Sequence, residues 1–366
     1  MALQFTLLGA EHFDAVRSFN ERMLAGKAQT AFLVPEGAPG NAKASGPVQQ
    51  RQYIALDGEG VHGGVIEMEQ PGWLDGHAVQ ALNYQSPLSE GILDRRYGMV
   101  AVRMVKFMEA RGDSVFIVGM GAETNPMPRM LKASGWTVRA VPFLFRVHRT
   151  GTFLREMQML NSTRARRIAA RVAGGTGIAS LALACAQMRR AGSKFRVRRE
   201  SAWGNWANEV WTECRNNCSF AAAREQSVLE ALYPSKDPRL SILVIENGGD
   251  PVGWAACFDT RFKDRKYFGD MRLGCVVDCM ARPDAMTATA IAADAELASR
   301  GADLVWLNHS HAAWVRAFRS AGFLKGPSNY QLGTSKPLTQ AILSAPGGED
   351  AIHVTRGDGD GRANFV

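Results

Sequence analysis

Hydrophobic positions along this chain follow two periods, about 3.6 residues and 2 residues, and the order in which the two alternate is spelled out twice. QFTLL at 4–8 reads as a short strand, and the next stretch carries Phe13, Val16, Phe19 and Met23 at helical spacing. PEGAPGNAKASGPVQQ, residues 35–50, is a Pro/Gly/Ala loop. RQYIALDGEGVHGGVIEME predicts strand, tight turn, strand, and HAVQALNYQ a further strand. GMVAVRMVKFMEARG is an apolar helix that stops at Gly112. SVFIVGM is a buried strand, PMPRMLKASGW a helix with prolines at its start and Gly135 at its end, and TVRAVPFLFRVHR closes the stretch in extended form.

The second half runs through the same order. RRESAWGNWANEVWTECRNN predicts a first helix, LSILVIENGGDPVGWAACFD a strand, turn and strand, and MRLGCVVDCMA a strand. DAMTATAIAADAELASRGA is a helix with Asp284 as its N-cap. DLVWLNHS is a strand, HAAWVRAFRSAGF a helix capped by Ser310, and NYQLGTS a last strand of the second copy. The clearest echo is RMLKASGW at 129–136 against RAFRSAGF at 316–323. From Gly64 to Gly135 is 71 residues, and from Gly253 to Gly322 is 69. Short glycine turns recur in any mixed protein, but a register held over that span predicts one unit built twice. The boundaries that follow are a first unit at 1–150, a basic helical connector at 151–194 and a second unit at 195–366.

Composition narrows the class. Hydrophobic residues at 46% and charged residues at 21% are globular values and exclude a disordered chain. MALQFTLLGAEHFD has no basic start followed by a long apolar run, so it does not read as a secretory leader, and Ala2 is not a myristoylation glycine. All six cysteines lie in the second half. Cys214/Cys218 and Cys275/Cys279 form two C-x3-C pairs, whose spacing and apolar setting favour buried thiols over zinc. A cytoplasmic protein is expected, without a metal.

The net charge of +8 sits in one segment: residues 146–200 hold thirteen Lys or Arg against two acids, a local +11, which leaves the remainder at −3. Inside it, residues 172–188 carry no charge, a run of 17 against the roughly 20 apolar residues that span a bilayer. Three uses stay open for residues 164–190: a helix packed between the two copies, peripheral contact with an anionic inner membrane face, or a grip on RNA phosphates.

Mixed strands, one central apolar helix, a buried strand and a final helix ending in Gly-aromatic resemble the GNAT family of N-acetyltransferases, an α/β fold with a mixed sheet. Gly135-Trp136 and Gly322-Phe323 match the end of the family's Tyr-x-x-x-Gly-Phe pattern, while Leu131 and Phe318 stand where it has tyrosine. Taken twice, over residues 3–148 and 195–335, the arrangement is similar to tandem acyltransferases, the FemAB-like group among them. The resemblance implies acetyl-CoA or another acyl-CoA as donor. It also implies an amine acceptor, either a small molecule or a glycan- or lipid-linked precursor of the cell envelope. Two alternatives remain: a FemAB-like transferase that takes its donor from aminoacyl-tRNA, and a non-catalytic binding protein.

Coenzyme A carries a pyrophosphate, and free backbone N–H groups at a helix start are the simplest cradle for it. The family's Gln/Arg-x-x-Gly-x-Gly/Ala loop is matched in DRRYGMVAVRM by Arg95 and Gly98, with Val100 in place of the second small residue and Ala101 after it. The resemblance therefore implies cofactor binding by Arg95, Arg96, Gly98, Met99, Val100 and Ala101, with Asn125 at the next helix start. The matching MARPDAMTATA of the second copy has no glycine there and places Asp284 where a phosphate would be repelled. Acyl transfer also needs proton acceptors and donors. Glu67, Tyr84 and Glu90 are the candidate bases in the first copy, with Glu69 beside Glu67 on one strand face. His62 adjoins a Gly-Gly turn and reads as a turn residue. Near the C-terminus, AIHVT is expected to complete the second sheet, and Asp358-x-Asp360-Gly reads as a turn rather than a calcium loop.

Overall fold

The computed structural model describes residues 3–28, 31–32, 46–58, 60–157, 194–264 and 268–359. Residues 164–190, with the membrane and RNA expectations placed on them, lie outside the described residues, as do most of the loop at 35–50, Cys185 and Asp360. The chain forms two compact units whose segments interleave: unit 1 is Met1–Ala140 with Asn329–Ala345, and unit 2 is Val141–Ser328 with Pro346–Val366.

Unit 1 contains β1 (Gln4–Leu7), α1 (Phe13–Ala25), β2 (Gln49–Asp57), β3 (Gly60–Leu74), β4 (His77–Ser89), α2 (Val100–Glu109), β5 (Val115–Val118), α3 (Pro126–Ala133) and β6 (Thr137–Ala140). From far downstream come the strand Gln331–Thr334, β15 in chain order, and the helix Lys336–Ser344, α9. The sheet runs β1-β2-β3-β4-β5-β15-β6. Only β4 and β5 run parallel within it. Val16, Phe19 and Met23 of α1 pack on Leu8, Ile54, Val61 and Ile66 on one face. Val100, Met104, Val105 and Met108 of α2, with Leu131 of α3, pack on Tyr53, Val65, Tyr84 and Ile117 on the other. With both faces covered, β3 is buried at consecutive positions instead of every second one.

Unit 2 contains β7 (Phe143–Val147), α4 (Thr150–Glu156), β8 (Arg196–Glu200), α5 (Trp206–Cys214), β9 (Phe220–Ala222), α6 (Gln226–Leu232), β10 (Leu240–Asn247), β11 (Asp250–Arg261), β12 (Arg272–Ala281), α7 (Met286–Ser299), β13 (Leu304–Asn308), α8 (Ala312–Ser320), β14 (Leu324–Gly326) and β16 (Ile352–His353). Its main sheet runs β8-β10-β11-β12-β13-β7-β14, which repeats the order of unit 1 position by position. The core joins Leu243, Cys257, Val276 and Val305 of the sheet to Ala290, Ala293 and Leu297 of α7 and Trp314 and Phe318 of α8.

The equivalence exposes an exchange. The strand between β5 and β6 is β15, from the second half of the sequence, and the strand between β13 and β14 is β7, from the first half. NYQLGTS, expected in the second copy, therefore completes the sheet of unit 1. Hydrophobic alternation marks a segment as a strand but is blind to which sheet receives it. AIHVT is likewise not in the main ladder of unit 2: β16 pairs in parallel with β9, as Ile352 with Phe220 and His353 with Ala221.

The repeated octapeptide is a device for ending a helix. Gly135 has φ +87° and Gly322 φ +92°, the left-handed region that glycine enters without strain. Trp136 N donates to Leu131 O at 3.0 Å, and Phe323 N donates to Phe318 O at 3.0 Å, closing the same cap. The partners at both ends of each bond, Leu131 with Trp136 and Phe318 with Phe323, are buried. Other caps differ from expectation. His311, not Ser310, caps α8 by accepting from Ala313 N at 3.1 Å, and Ala285, not Asp284, precedes α7. Helix α2 ends at Glu109, short of Gly112.

Candidate acyl-donor site

In unit 1 the two parallel strands touch and then part. β4 and β5 pair only at Leu82 with Val115 and Asn83 with Phe116. Three residues further β4 bends: its register on β3 jumps from Gln85–Ile66 to Leu88–Gly64, and Ser86 takes φ +46°. Among the described residues, nothing pairs with the β5-facing edge of β4 beyond Asn83. Tyr84 opens this divergence. It is fully buried, its hydroxyl has no partner among the described residues, and burial pushes the phenol up, so it stays protonated.

At the carboxyl end of β4 the chain folds into two short turns before α2. Ser89 Oγ accepts from Gly91 N at 3.2 Å, and Asp94 Oδ1 accepts from Arg96 N at 2.9 Å. The first bond of α2 runs from Arg103 N to Met99 O, so the N–H groups of Val100, Ala101 and Val102 precede the helical ladder and carry its positive dipole end. Gly98 and Met99 are exposed beside them. Gly98 has φ −56°, and a Cβ there would meet only Arg95 O at 3.2 Å. The backbone does not demand glycine at this position; what glycine gives is close approach from outside. Val100 turns its side chain inward, where an added Cβ on Gly63 would lie 2.8 Å from Val100 Cγ1. The bulky residue in the loop pattern is thus accommodated by a glycine on β3.

The loop is braced from behind. Glu90 is buried, and its carboxylate takes Arg22 Nε at 2.7 Å, Arg22 Nη2 at 2.9 Å and His62 Nδ1 at 2.7 Å. Arg22, with His62 adding, holds the Glu90 carboxyl below the usual range. The His62 ring stacks on Tyr97 at 3.8 Å between centroids, which ties α1, β3 and the loop together. Both Glu90 oxygens are committed to this brace. Glu67 is committed too: Arg51 Nη1 donates to it at 3.0 Å and Arg111 Nε at 2.9 Å, with no solvent exposure. Glu69 shares Arg51. Arg96 is paired with Asp94 at 2.6 Å, whereas Arg95 is exposed and has no ion-pair partner among the described residues. Asn125 stands exposed at the start of α3, just past the end of β5, with Nδ2 3.4 Å from Met120 O. The site therefore lies off the carboxyl ends of two diverging parallel strands, where α/β sheets usually take their ligands.

Sequence reading passed over Arg22 and treated His62 as a turn residue. Nothing local marks either one, because their partner Glu90 is 68 and 28 residues away. The five described cysteines are free and buried, and burial pushes the Cys214, Cys218 and Cys275 thiols up to about 12. Among the described residues no helix is long and apolar enough to cross a membrane.

No family profile matches the chain, and no curated protein does. Solved structures do match. A GCN5-related N-acetyltransferase from Anabaena variabilis is 11% identical with a TM-score of 0.54, over 94% of this chain and 75% of that one. A conserved protein from Enterococcus faecalis, described as a probable N-acyltransferase, is 10% identical with a TM-score of 0.50, again over 94% and 75%. A tandem GNAT protein from the clavulanic acid biosynthesis pathway is 11% identical with a TM-score of 0.47, over 92% of this chain and 98% of that one. With its mixed sheets, its split parallel pair and the likeness to the Anabaena and Enterococcus structures, the chain has the GNAT fold, in two units.

Proposed function

We propose that this protein is an N-acyltransferase that moves an acyl group from an acyl-CoA thioester to an amine, with the donor held by unit 1. The observation that carries the reading is the helix start at residues 98–102. There, N–H groups outside the helical ladder, an exposed glycine and Arg95, which has no ion-pair partner among the described residues, meet at the mouth of the β4/β5 divergence. That combination suits a diphosphate. The descriptions of the Anabaena and Enterococcus proteins as acetyl- and acyltransferases support the same chemistry.

In this reading the amine nitrogen attacks the thioester carbonyl carbon, the carbon–sulfur bond breaks, the amine loses a proton and the departing thiolate gains one. The Tyr84 hydroxyl, kept protonated by burial, donates a hydrogen bond to the departing sulfur, a part played elsewhere in the fold by a tyrosine where this chain has Leu131. Glu67 and Glu90 hold arginines instead of accepting the amine's proton; the acceptor attacks as the neutral amine, and the proton its nitrogen loses on forming the amide is the one the departing thiolate gains. Acetyl-CoA is the donor to try first, against small-molecule and glycan-linked amines. Calorimetry and thermal shift test the reading. Acetyl-CoA is expected to bind and raise the melting temperature, and Gly98→Glu is expected to abolish both effects while the unliganded protein melts as before. Absence of binding by the wild type, with aminoacyl-tRNA or RNA retained instead, sinks it.

A further inference from the structure

Unit 2 has the same divergence of parallel strands, and its own chain runs into it. β12 and β13 pair only at Leu273, Gly274 and Cys275 with Leu304, Val305 and Trp306. β12 then bulges, its register on β11 jumping from Val276–Cys257 to Asp278–Ala256. Between the parted strands lie residues 352–358. On the β13 side, Ser310 N donates to Val354 O at 2.9 Å, Ser310 Oγ donates to Ile352 O at 2.5 Å, and Val354 N donates back to Ser310 Oγ at 2.8 Å. His309 bridges Thr355, and the Arg356 guanidinium lies 4.5 Å from the centre of the Trp306 ring.

On the β12 side the segment is held by a buried arginine. Arg224 has no solvent exposure. Its Nε donates to Asp278 Oδ2 at 2.5 Å, Nη2 to Asp358 Oδ1 at 2.7 Å and Oδ2 at 2.8 Å, and Nη1 to Ala222 O at 2.9 Å. Tyr233 donates to Asp278 at 3.0 Å, and Asp278 Oδ1 also takes Cys279 N, a backbone donor of β12 itself, at 2.9 Å. Residues 352–355, the extended part of the segment before a 3₁₀ turn at Arg356–Asp358, offer amide groups in series, as the pantetheine arm of coenzyme A does.

We propose that residues 352–358 are a built-in ligand of unit 2, docked where a pantetheine arm would enter, so that the chain binds acyl-CoA at one site, in unit 1. Docking stands on these contacts alone; the single-site statement rests on the function proposed above. The loop after β12 agrees with it, since Asp284 there faces Lys194 at 3.8 Å, its one ion-pair partner among the described residues, and no glycine stands before α7.

Two measurements on the full-length protein separate the claims. Hydrogen–deuterium exchange of the peptide covering 352–358 is expected to be slow, at the level of β12. It is expected to speed up at least tenfold in Asp358→Asn and in Ser310→Ala, with β10 and β11 unchanged as the control for folding. Titration with acetyl-CoA is expected to give one site per chain, removed by Gly98→Glu. Exchange of 352–358 at the rate of an unstructured peptide in the wild type overturns the docking. Two sites per chain, or a site that survives Gly98→Glu, overturns the single-site statement. No binding at all removes the donor assignment of unit 1 and leaves the docking to be decided by exchange.

Discussion

Units 1 and 2 order their strands alike and stop one helix each, α3 and α8, with the same bond, yet they treat the gap between their two parallel strands in opposite ways. In unit 1 the gap opens on a helix start with backbone donors outside the helical ladder and a buried phenol that has no partner among the described residues. In unit 2 every donor of a buried arginine is satisfied, and a length of the protein's own backbone lies between the strands. A split parallel pair exposes amides that must bond to something. In the function proposed above, one unit leaves them for a ligand, whereas the other bonds them internally. A fold held in common thus does not fix a function held in common; the residues lining the gap decide.

The largest effect that sharpens this contrast comes from Arg224→Met. It strands Asp278 and Asp358 as buried carboxylates without their counter-charge and is expected to cost about 3–5 kcal/mol in chemical denaturation. The loss is expected in unit 2 by hydrogen exchange. Equal loss of protection in unit 1 would break the view that the network belongs to one unit.

Next come the two residues that close the helix caps. Leu131→Ala and Phe318→Ala each remove a fully buried side chain and are expected to cost about 2–5 kcal/mol, the phenylalanine more. A neutral result for either would mean that the octapeptides do not serve the same end.

A pH titration comes third. His311 is held down to about 4 and His309 well below its usual value, in both cases chiefly by burial. Both are bound neutral in the folded state and charge in the unfolded one. Stability from them is complete above about 6.5 and is lost as the pH falls towards 4, by about 3 kcal/mol for His311 alone. Unit 2 is therefore expected to loosen in mild acid before unit 1, which pH-dependent exchange would report.

The smallest effect is expected from Glu90→Gln, which weakens the brace behind the donor loop without touching the donor. Partial exposure of Arg22 limits the cost to about 1–1.5 kcal/mol, an approximately tenfold rise in KM for acyl-CoA with little change in kcat. A collapse of kcat instead would assign Glu90 to the chemistry.

Much of the fold was legible because its signals are local. The apolar spacing of α1, the glycine turns between strands and the Gly-aromatic helix ends act over a few residues, and they appear where the pattern predicts. The helix start that follows Arg95 and Gly98 was legible for the same reason. The commitments of Glu67, Glu90 and Arg96 were only partly so. Arg96 meets Asp94 two residues away, but Glu67 meets Arg111 across 44 residues and Glu90 meets Arg22 across 68. A carboxylate on a strand looks the same in sequence whether it faces an amine or a guanidinium.

By itself, then, the sequence determined that strands and helices alternate in a doubled order, that each copy ends its last helix with a left-handed glycine, and that only the first copy opens a helix on Arg-x-x-Gly. The tertiary structure decided that β15 and β7 are exchanged between the units, that Arg22 and His62 stand behind the loop, and that residues 352–358 run between β12 and β13. The reason is range. Backbone propensity and hydrophobic period act on near neighbours, whereas strand pairing and buried charge are settled by whichever distant group completes the bond.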